Sequence, residues 1–514
     1  MKIGTGLVLA CAGLAVAASP AMAQRAEVVL GIAAHAGTTN RAAVPGRPDL
    51  TFTNFSNMYR SAGNRWITVA TVSGGTGGTA TDQVVVTGMG MTAAVGAQEG
   101  VTAVGEGGEM LNLSGLANPQ INDAGKWAIA FSTAAPATGL VVWWNGNSFH
   151  TIAKAGDPAN AVEPGVVFGN TFSSAGITTA DSVSFIASGL SGSAFGTTTA
   201  ALRNNGTALA AANFVTVPAN QLDSGTAQLQ AIDSGASTVS LQVSGDGATT
   251  MLTGTLAGTP TSKVVMINNA IVMQVGAPLA GSGDTVASIT SSWLESDGTW
   301  FVRGTSAPSG GLATSFISRN GVVIARVGQP ITPNSTETWA GFTDYKGNNR
   351  GQYVVTGTTT ATAASNSVLV LNGTQVIARA GDPVDLDNNG QFDDGLYIHG
   401  FRERCFLGND GYFYVGARMK SAPDATSSLG ANVSLIRIAV PSACNDADVA
   451  GLGGSTTPDG QLTADDVIAF LDAFFVGTLS VADIASLGGG DAPDGQLTAD
   501  DVIGFLGAFF AGCP

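Results

Sequence analysis

The chain has 514 residues, 44% hydrophobic and only 11% charged, with 70 Gly; charge-driven disorder is excluded, and the length implies at least two folding units. Lys plus Arg number 21 against 37 for Asp plus Glu, a net charge of −16, which excludes a phosphate-neutralising nucleic-acid binder and suits a hard cation such as Ca²⁺. Only three His are present, His35, His150 and His399, which leaves little material for His-based catalysis or a transition-metal centre.

Residues 1–23 read as a signal peptide: Lys2 supplies the positive n-region, residues 7–18 an uncharged apolar h-region, and Ala21, Met22 and Ala23 an A-x-A cleavage site. Mature protein is expected to begin at Gln24. A lipoprotein would use Cys11, but the ten residues before it are too few for both an n-region and an h-region. No other apolar run reaches the roughly 18 to 20 residues of a membrane span. The expectation is therefore a secreted or cell-surface protein.

Residues 24–440 form the large domain. It is rich in Val, Thr, Ala and Gly with period-2 alternation, the pattern of strands. Hairpin signals recur at Asn145-Gly146, Asn205-Gly206, Asn268-Asn269, Asn320-Gly321 and Asn372-Gly373, each between two apolar runs, as type I′ turns require. The strand after the turn runs into a small loop, as at residues 152–158, 324–330 and 377–383, with 273–278 a degenerate copy. Upstream of the hairpins a second turn leads into an aromatic strand at Trp66, Trp127, Trp300, Tyr353 and Tyr412. With degenerate units near Asp181 and Gly235 the count is seven, at a period of roughly 50 to 65 residues. Such a unit of about four strands predicts a mainly β, β-propeller-like domain of about seven blades, with residues 27–32 completing the last blade. Six or eight blades, or an open solenoid, stay open at this point. The motif I-N-D-x-G-x-x-A of residues 121–128, followed by W-N-G and A-x-A-G-D-P, is similar to tandem-repeat ectodomains of secreted bacterial proteins, which implies the repeat architecture and says little about a ligand.

Within this domain Asp385, Asp387 and Asn389 occupy positions one, three and five of a D-x-D-x-N-G calcium loop, with Gly390 sixth, Gln391 seventh and Asp393 ninth. The twelfth place is Leu396, so Asp394 is the available substitute acid; a solvated acidic turn is the alternative. Residues 296–300 resemble the Asp-box turn of sialidase propellers in compressed spacing, without the repeated acid boxes. Trp143 and Trp144 beside His150 suggest sugar stacking, yet adjacent strand residues point to opposite faces, so one is expected in the core. Asp157 and Asp382 are expected to cap turns, and Cys405 to be a buried thiol. No G-x-S-x-G, H-E-x-x-H, phosphate loop or C-x-x-C occurs, so nucleophilic, zinc and nucleotide chemistry lack support.

The C-terminal region, residues 444–514, is a duplication. Residues 448–475 and 483–510 are offset by 35 positions, and both 458–468 and 493–503 read PDGQLTADDVI. As a calcium loop, Gly460 is sixth, Asp459 fifth, Gln461 seventh, Thr463 ninth and Asp466 twelfth; Asp494, Gly495, Gln496, Thr498 and Asp501 repeat this. A helix is predicted after each loop, with an apolar stripe at Val467, Phe470, Leu471, Phe474 and Phe475, repeated at Val502, Phe505, Leu506, Phe509 and Phe510. Cys444 and Cys513 bracket the module, and an oxidising compartment favours their pairing. The alternative for Thr463 and Asp466 is a helix-capping box alone.

This duplication resembles the dockerin family, two loop-helix repeats of EF-hand type, most closely the variety of secreted bacterial proteins ending in Gly-Cys, as Gly512 and Cys513 do here. The resemblance covers about 70 residues. It departs from the family in that the first Asp, Asp448 or Asp483, lies eleven residues ahead of the Asp-Gly pair instead of four, across a Gly-rich insert. It implies Ca²⁺ ligands among Asp448, Asp459, Gln461, Thr463 and Asp466 and their counterparts Asp483, Asp494, Gln496, Thr498 and Asp501, and a cohesin-like docking partner. The reading is thus an exported, non-enzymatic modular protein tethered through its C-terminal module; the alternative is a dockerin-borne carbohydrate-active protein, a glycoside hydrolase or a glycan binder.

Overall fold

The computed structural model describes residues 26–36, 42–60, 63–75, 77–113, 118–133, 138–194, 196–204, 208–211, 228–233, 240–257, 262–308, 311–333, 335–441, 447–450, 462–486 and 495–511. The signal segment, Asn205-Gly206, Cys444, Asp459, Gly460, Gln461, Asp494 and Cys513 lie outside the described residues.

Seven antiparallel sheets follow one another along the chain, at residues 43–98, 120–154, 171–211, 229–274, 285–326, 339–379 and 397–439. They are the seven blades of a β-propeller, blades 1 to 7 in that order. Blade 7 draws its closing strand from the other end of the chain: Ala26–Leu30 runs antiparallel to Ser434–Ala439, with Glu27 opposite Arg437 and Val28 opposite Ile436. Expectation and structure agree here, and closure removes the sheet edge that an open ring exposes.

Seven apolar cores separate the blades, one per interface. Strand parity sorts the side chains: in blade 6, Val354, Leu369 and Leu371 face blade 7, while Val355, Val368 and Val370 face blade 5. Middle strands are consequently buried on both faces, as in Ser367–Leu371, and the expected polar-apolar alternation gives way to unbroken apolar runs. Gly on the second strands lets the inner strands press close: a Cβ on Gly304 would sit 2.2 Å from Ser288 O, and one on Gly357 2.2 Å from Gly341 O.

The hairpin Asn residues form I′ turns where expected at 268–269, 320–321 and 372–373, with both central φ angles positive. Asn is favoured at the first position because its side chain also bonds the strand before the hairpin: Asn320 Oδ1 accepts from Trp300 N at 2.9 Å, Asn372 Oδ1 from Tyr353 N at 2.8 Å and Asn268 Oδ1 from Thr250 N at 2.8 Å. Asn145 departs from this: its φ is not positive, and its Oδ1 instead accepts from Asn147 and Ser148 N–H in a wider loop.

The turns after the inner strands bond from blade to blade around the ring. Gly63 N–H reaches Asp123, Asn122 Nδ2 reaches Thr178 O, Thr179 N–H reaches Gly245 O, and Gly245 N–H reaches Ser296 O. Ser296 Oγ then meets Asn349, Asn349 N–H meets Asn409, and Asn409 N–H meets Asn64. The circle is complete, and the turns that lead into Trp66, Trp127, Trp300, Tyr353 and Tyr412 are among its links.

Beyond the propeller lie two 13-residue helices, Ala464–Val476 and Ala499–Ala511, and a short helix Leu479–Ala482.

Candidate metal sites and the propeller axis

The loop that follows blade 6 holds the clearest cluster. Asp385, Asp387 and Asp394 each offer an oxygen within 4.8 Å of the others. Asp385 is buried and accepts from Gly390 N at 2.8 Å and Asn389 N at 3.2 Å; Asp387 accepts from the same Asn389 N–H, and Asp394 from Leu386 N at 2.7 Å. Gly390 sits at φ 86°, the sharp sixth-position turn of such loops. Asp394, the substitute acid, joins the cluster; Asp393 is not part of it, and Gln391 contributes its N–H to Asn389 Oδ1. An all-oxygen set of this kind fits a hard divalent cation. The loop also borders the ring closure, since Val384–Asp385 pairs in parallel with Ala26 and Glu27, and Asn388 Nδ2 donates to Val28 O at 3.1 Å.

In the C-terminal module the two repeats are built alike. Asp466 Oδ1 accepts from Val449 and Ala450 N–H at 2.9 and 2.8 Å, and its Oδ2 from Thr463 N and Oγ1. Asp501 does the same with Ile484, Ala485 and Thr498. Four accepted bonds fill a carboxylate, so these two acids fold the pre-loop segment onto the helix start, and the capping box at Thr463 is complete. Burial opposes ionisation of Asp501, but the N–H groups of Thr498, Ala485 and Ile484 outweigh it and hold its carboxyl below the ordinary value. Asp448 and Asp483 are buried, and Gly495, at φ 82°, donates its N–H to Asp483 at 2.7 Å. Asp483 therefore stands to Gly495 as Asp385 stands to Gly390, in spite of the longer insert. Gln496 follows Gly495 in the second loop.

The helices pack through Phe470 and Phe505, 0% and 1% exposed, with ring centroids 4.1 Å apart and planes 16° apart. The predicted stripe is only half buried: Val467 and Phe474 pack beside this stack, whereas Leu471 and Phe475 turn outward. A stripe five positions wide exceeds what a single facing helix covers. Ile468 and Ile503 are 65% and 66% exposed, and Phe475 and Phe510 are both 81% exposed, so the repeats present matched apolar residues on their outer side.

On the propeller axis, Trp293 packs against both the blade 1–2 core and the blade 5–6 core and so spans the channel. Lys346 Nζ lies 4.3 Å over its ring and donates to Asp344 Oδ1 at 2.7 Å, while Cys405 Sγ donates to Asp344 Oδ2 at 3.0 Å. Burial would lower the Lys346 pKa, but Asp344 reverses this and holds it above the ordinary value; burial pushes the Cys405 thiol well up, as expected of an inert thiol. A pocket of about 60 Å³ beside Trp293 is lined by Asn122, Gln242 and Glu295; each bonds the framework, Asn122 to Thr178, Gln242 to Leu294 and Glu295 to Gly347. Nothing in the sequence pattern marked this axial group, because its members come from three different repeats.

The remaining candidates are framework residues. Trp143 packs toward the blade 2–3 core and Trp144 toward the blade 1–2 core. Asp382 Oδ2 accepts from Arg379 N at 2.8 Å, capping its turn, and Asp297 caps Thr299.

No protein-family model matches the chain, and no curated protein matches it. Solved structures do. The β-propeller domain of the Trilobed protease from Pyrococcus furiosus is similar at 8% identity and TM-score 0.37, over 74% of this chain and 99% of that one. Pyrococcus horikoshii acylaminoacyl peptidase matches at 9% identity and TM-score 0.36, over 75% of this chain and 51% of that one. Trypanosoma rangeli sialidase matches at 8% and 0.28, over 86% and 61%.

Proposed function

We propose that this is an exported, non-enzymatic modular protein whose C-terminal pair of loop-helix repeats binds Ca²⁺ and docks a cohesin-like protein, holding the propeller at that partner's surface. The observation that carries it is the duplicated outer face: Ile468 with Ile503, Leu471 with Leu506 and Phe475 with Phe510 present the same apolar residues at a 35-residue offset. Large apolar side chains at four-fifths exposure are unfavourable in water and mark an interaction surface. Ca²⁺ enters through Asp448 and Asp483, the latter bonded to the sixth-position Gly495, with Asp459, Gln461, Asp494 and Gln496 completing the sets while Asp466 and Asp501 brace them. A further Ca²⁺ at Asp385, Asp387 and Asp394 would serve structure. The ion supplies charge neutralisation, and the chain supplies the docking face.

The test is calorimetric Ca²⁺ titration of the full chain, then binding to an immobilised recombinant cohesin module with Ca²⁺ or chelator. Ca²⁺ binding that is reduced by Asp483→Asn, and cohesin binding abolished by Phe475→Ser with Phe510→Ser at unchanged Ca²⁺ binding, is expected. A chain that takes up no Ca²⁺, or a double variant that docks like the parent, refutes the proposal.

A further inference from the structure

The strand that closes the ring is followed at once by a one-turn helix, Ala33–Ala36, that carries His35. His35 is 4% exposed. Its Nδ1 lies 2.9 Å from Ser434 Oγ, and the same hydroxyl accepts from Ile32 N at 3.3 Å. Ser434 begins the strand on which the closing strand lies, with Leu435 opposite Leu30. One hydroxyl thus ties the segment after the closure to the last blade across some 400 residues of sequence. The other ring nitrogen, Nε2, is buried with no hydrogen-bond partner among the described residues.

We infer that His35 is an acid-released latch on the propeller, holding the N-terminal strand in blade 7 while its ring is neutral and releasing it on protonation. A neutral imidazole meets Ser434 with one nitrogen and leaves the other as a buried, unbonded atom. An imidazolium would place a second N–H and a full charge in the same space. Among the described residues no free counter-charge is at hand: on the strand Arg47–Arg60 packed against the helix, Arg47 is paired with Asp49, and on the strand beneath, Arg437 is paired with Glu27. Burial alone lowers the His35 pKa, from 6.5 to about 4. When the strand leaves, the ring regains its ordinary value. Closure is therefore fully favoured above pH 6.5 and loses strength as the pH falls toward 4, by about 30-fold in the closed-to-open ratio at pH 5.

Hydrogen exchange of the full chain at pH 7.5 and 5.0, corrected for intrinsic rates, reads the latch directly. Protection of Ala26–Leu30 is expected to fall about 30-fold relative to the blade 6 strand Tyr353–Thr359. In His35→Gln, which keeps a bond to Ser434 without a titrating ring, the ratio is expected to stay constant. A closing strand whose relative protection is the same at both pH values, or a Gln variant that retains the fall, overturns the inference. Should that variant not fold, NMR titration of the wild type decides, since only three His resonances exist: a His35 midpoint below 5 supports the latch, and one near 6.5 overturns it.

Discussion

Substituting Phe470 by Ala tests whether the C-terminal repeats form a unit with its own core. Phe470 and Phe505 stack at 4.1 Å and are essentially inaccessible, and among the described residues Ala447 and Ala482 complete their buried cluster. Phe→Ala at such a site costs about 3–5 kcal/mol, and the lost ring pair adds about 0.5–1.5 kcal/mol. A unit of this size rarely has more than about 3–5 kcal/mol in its core to begin with. The variant module is therefore expected to be unfolded at 25 °C, while the propeller, none of whose seven cores includes Phe470, stays intact. Scanning calorimetry of the full chain would show the module's transition vanish and the propeller's midpoint hold, with helical dichroism lost. Ca²⁺ at 100-fold over its dissociation constant would return about 2.7 kcal/mol, enough for partial recovery. A variant that keeps its helices and its docking would refute the claim that this ring stack holds the repeats together; a lowered propeller midpoint would refute the separation of the two units.

Two further substitutions probe the ring itself. Glu27→Gln leaves Arg437, partly buried over Tyr412, without the carboxylate 2.6 Å away; a loss of about 2 kcal/mol is expected, seen as faster exchange confined to Ala26–Leu30 and Ser434–Ala439, and exchange spread evenly over all blades would count against it. Asp344→Asn strips the charge shared by Lys346 and Cys405, whose side chains are nearly or wholly buried. A destabilisation of about 3–5 kcal/mol is expected, partly recovered by adding Lys346→Met; a double variant no better than the single would show that the unpaired ammonium is not the cause.

The propeller was legible because its punctuation is local. A positive-φ Asn at the third hairpin of a blade does two things that need only neighbouring residues, turning the chain and bonding the strand before it, so it recurs where blades recur. The same logic failed at Asn145, where the flanking strands end in Trp144 and Phe149 and the loop is two residues longer than a I′ turn allows. Strand burial is not local in this way: a blade has neighbours on both sides, and nothing local distinguishes a sheet against solvent from a sheet between sheets.

Functional residues divide along the same line. The acids of residues 385–394 meet because a short loop compels them to, and Asp394 could be named beside Asp393 from spacing alone. Asp466 and Asp501 were also identified from spacing, yet their oxygens are taken by N–H groups of Val449, Ala450, Ile484 and Ala485, residues some 16 positions earlier. Those bonds tie the residues just after Asp448 and Asp483 to the starts of the two helices, a contact that spacing within the repeat does not announce. His35 carries no pattern in the sequence; only the ring closure, which joins residues 26–36 to residue 434, gives it a partner and a consequence. Local chemistry is readable wherever the backbone alone brings its atoms together, and the latch and the axial Asp344 cluster lie beyond that reach because the ring, and not the repeat, assembles them.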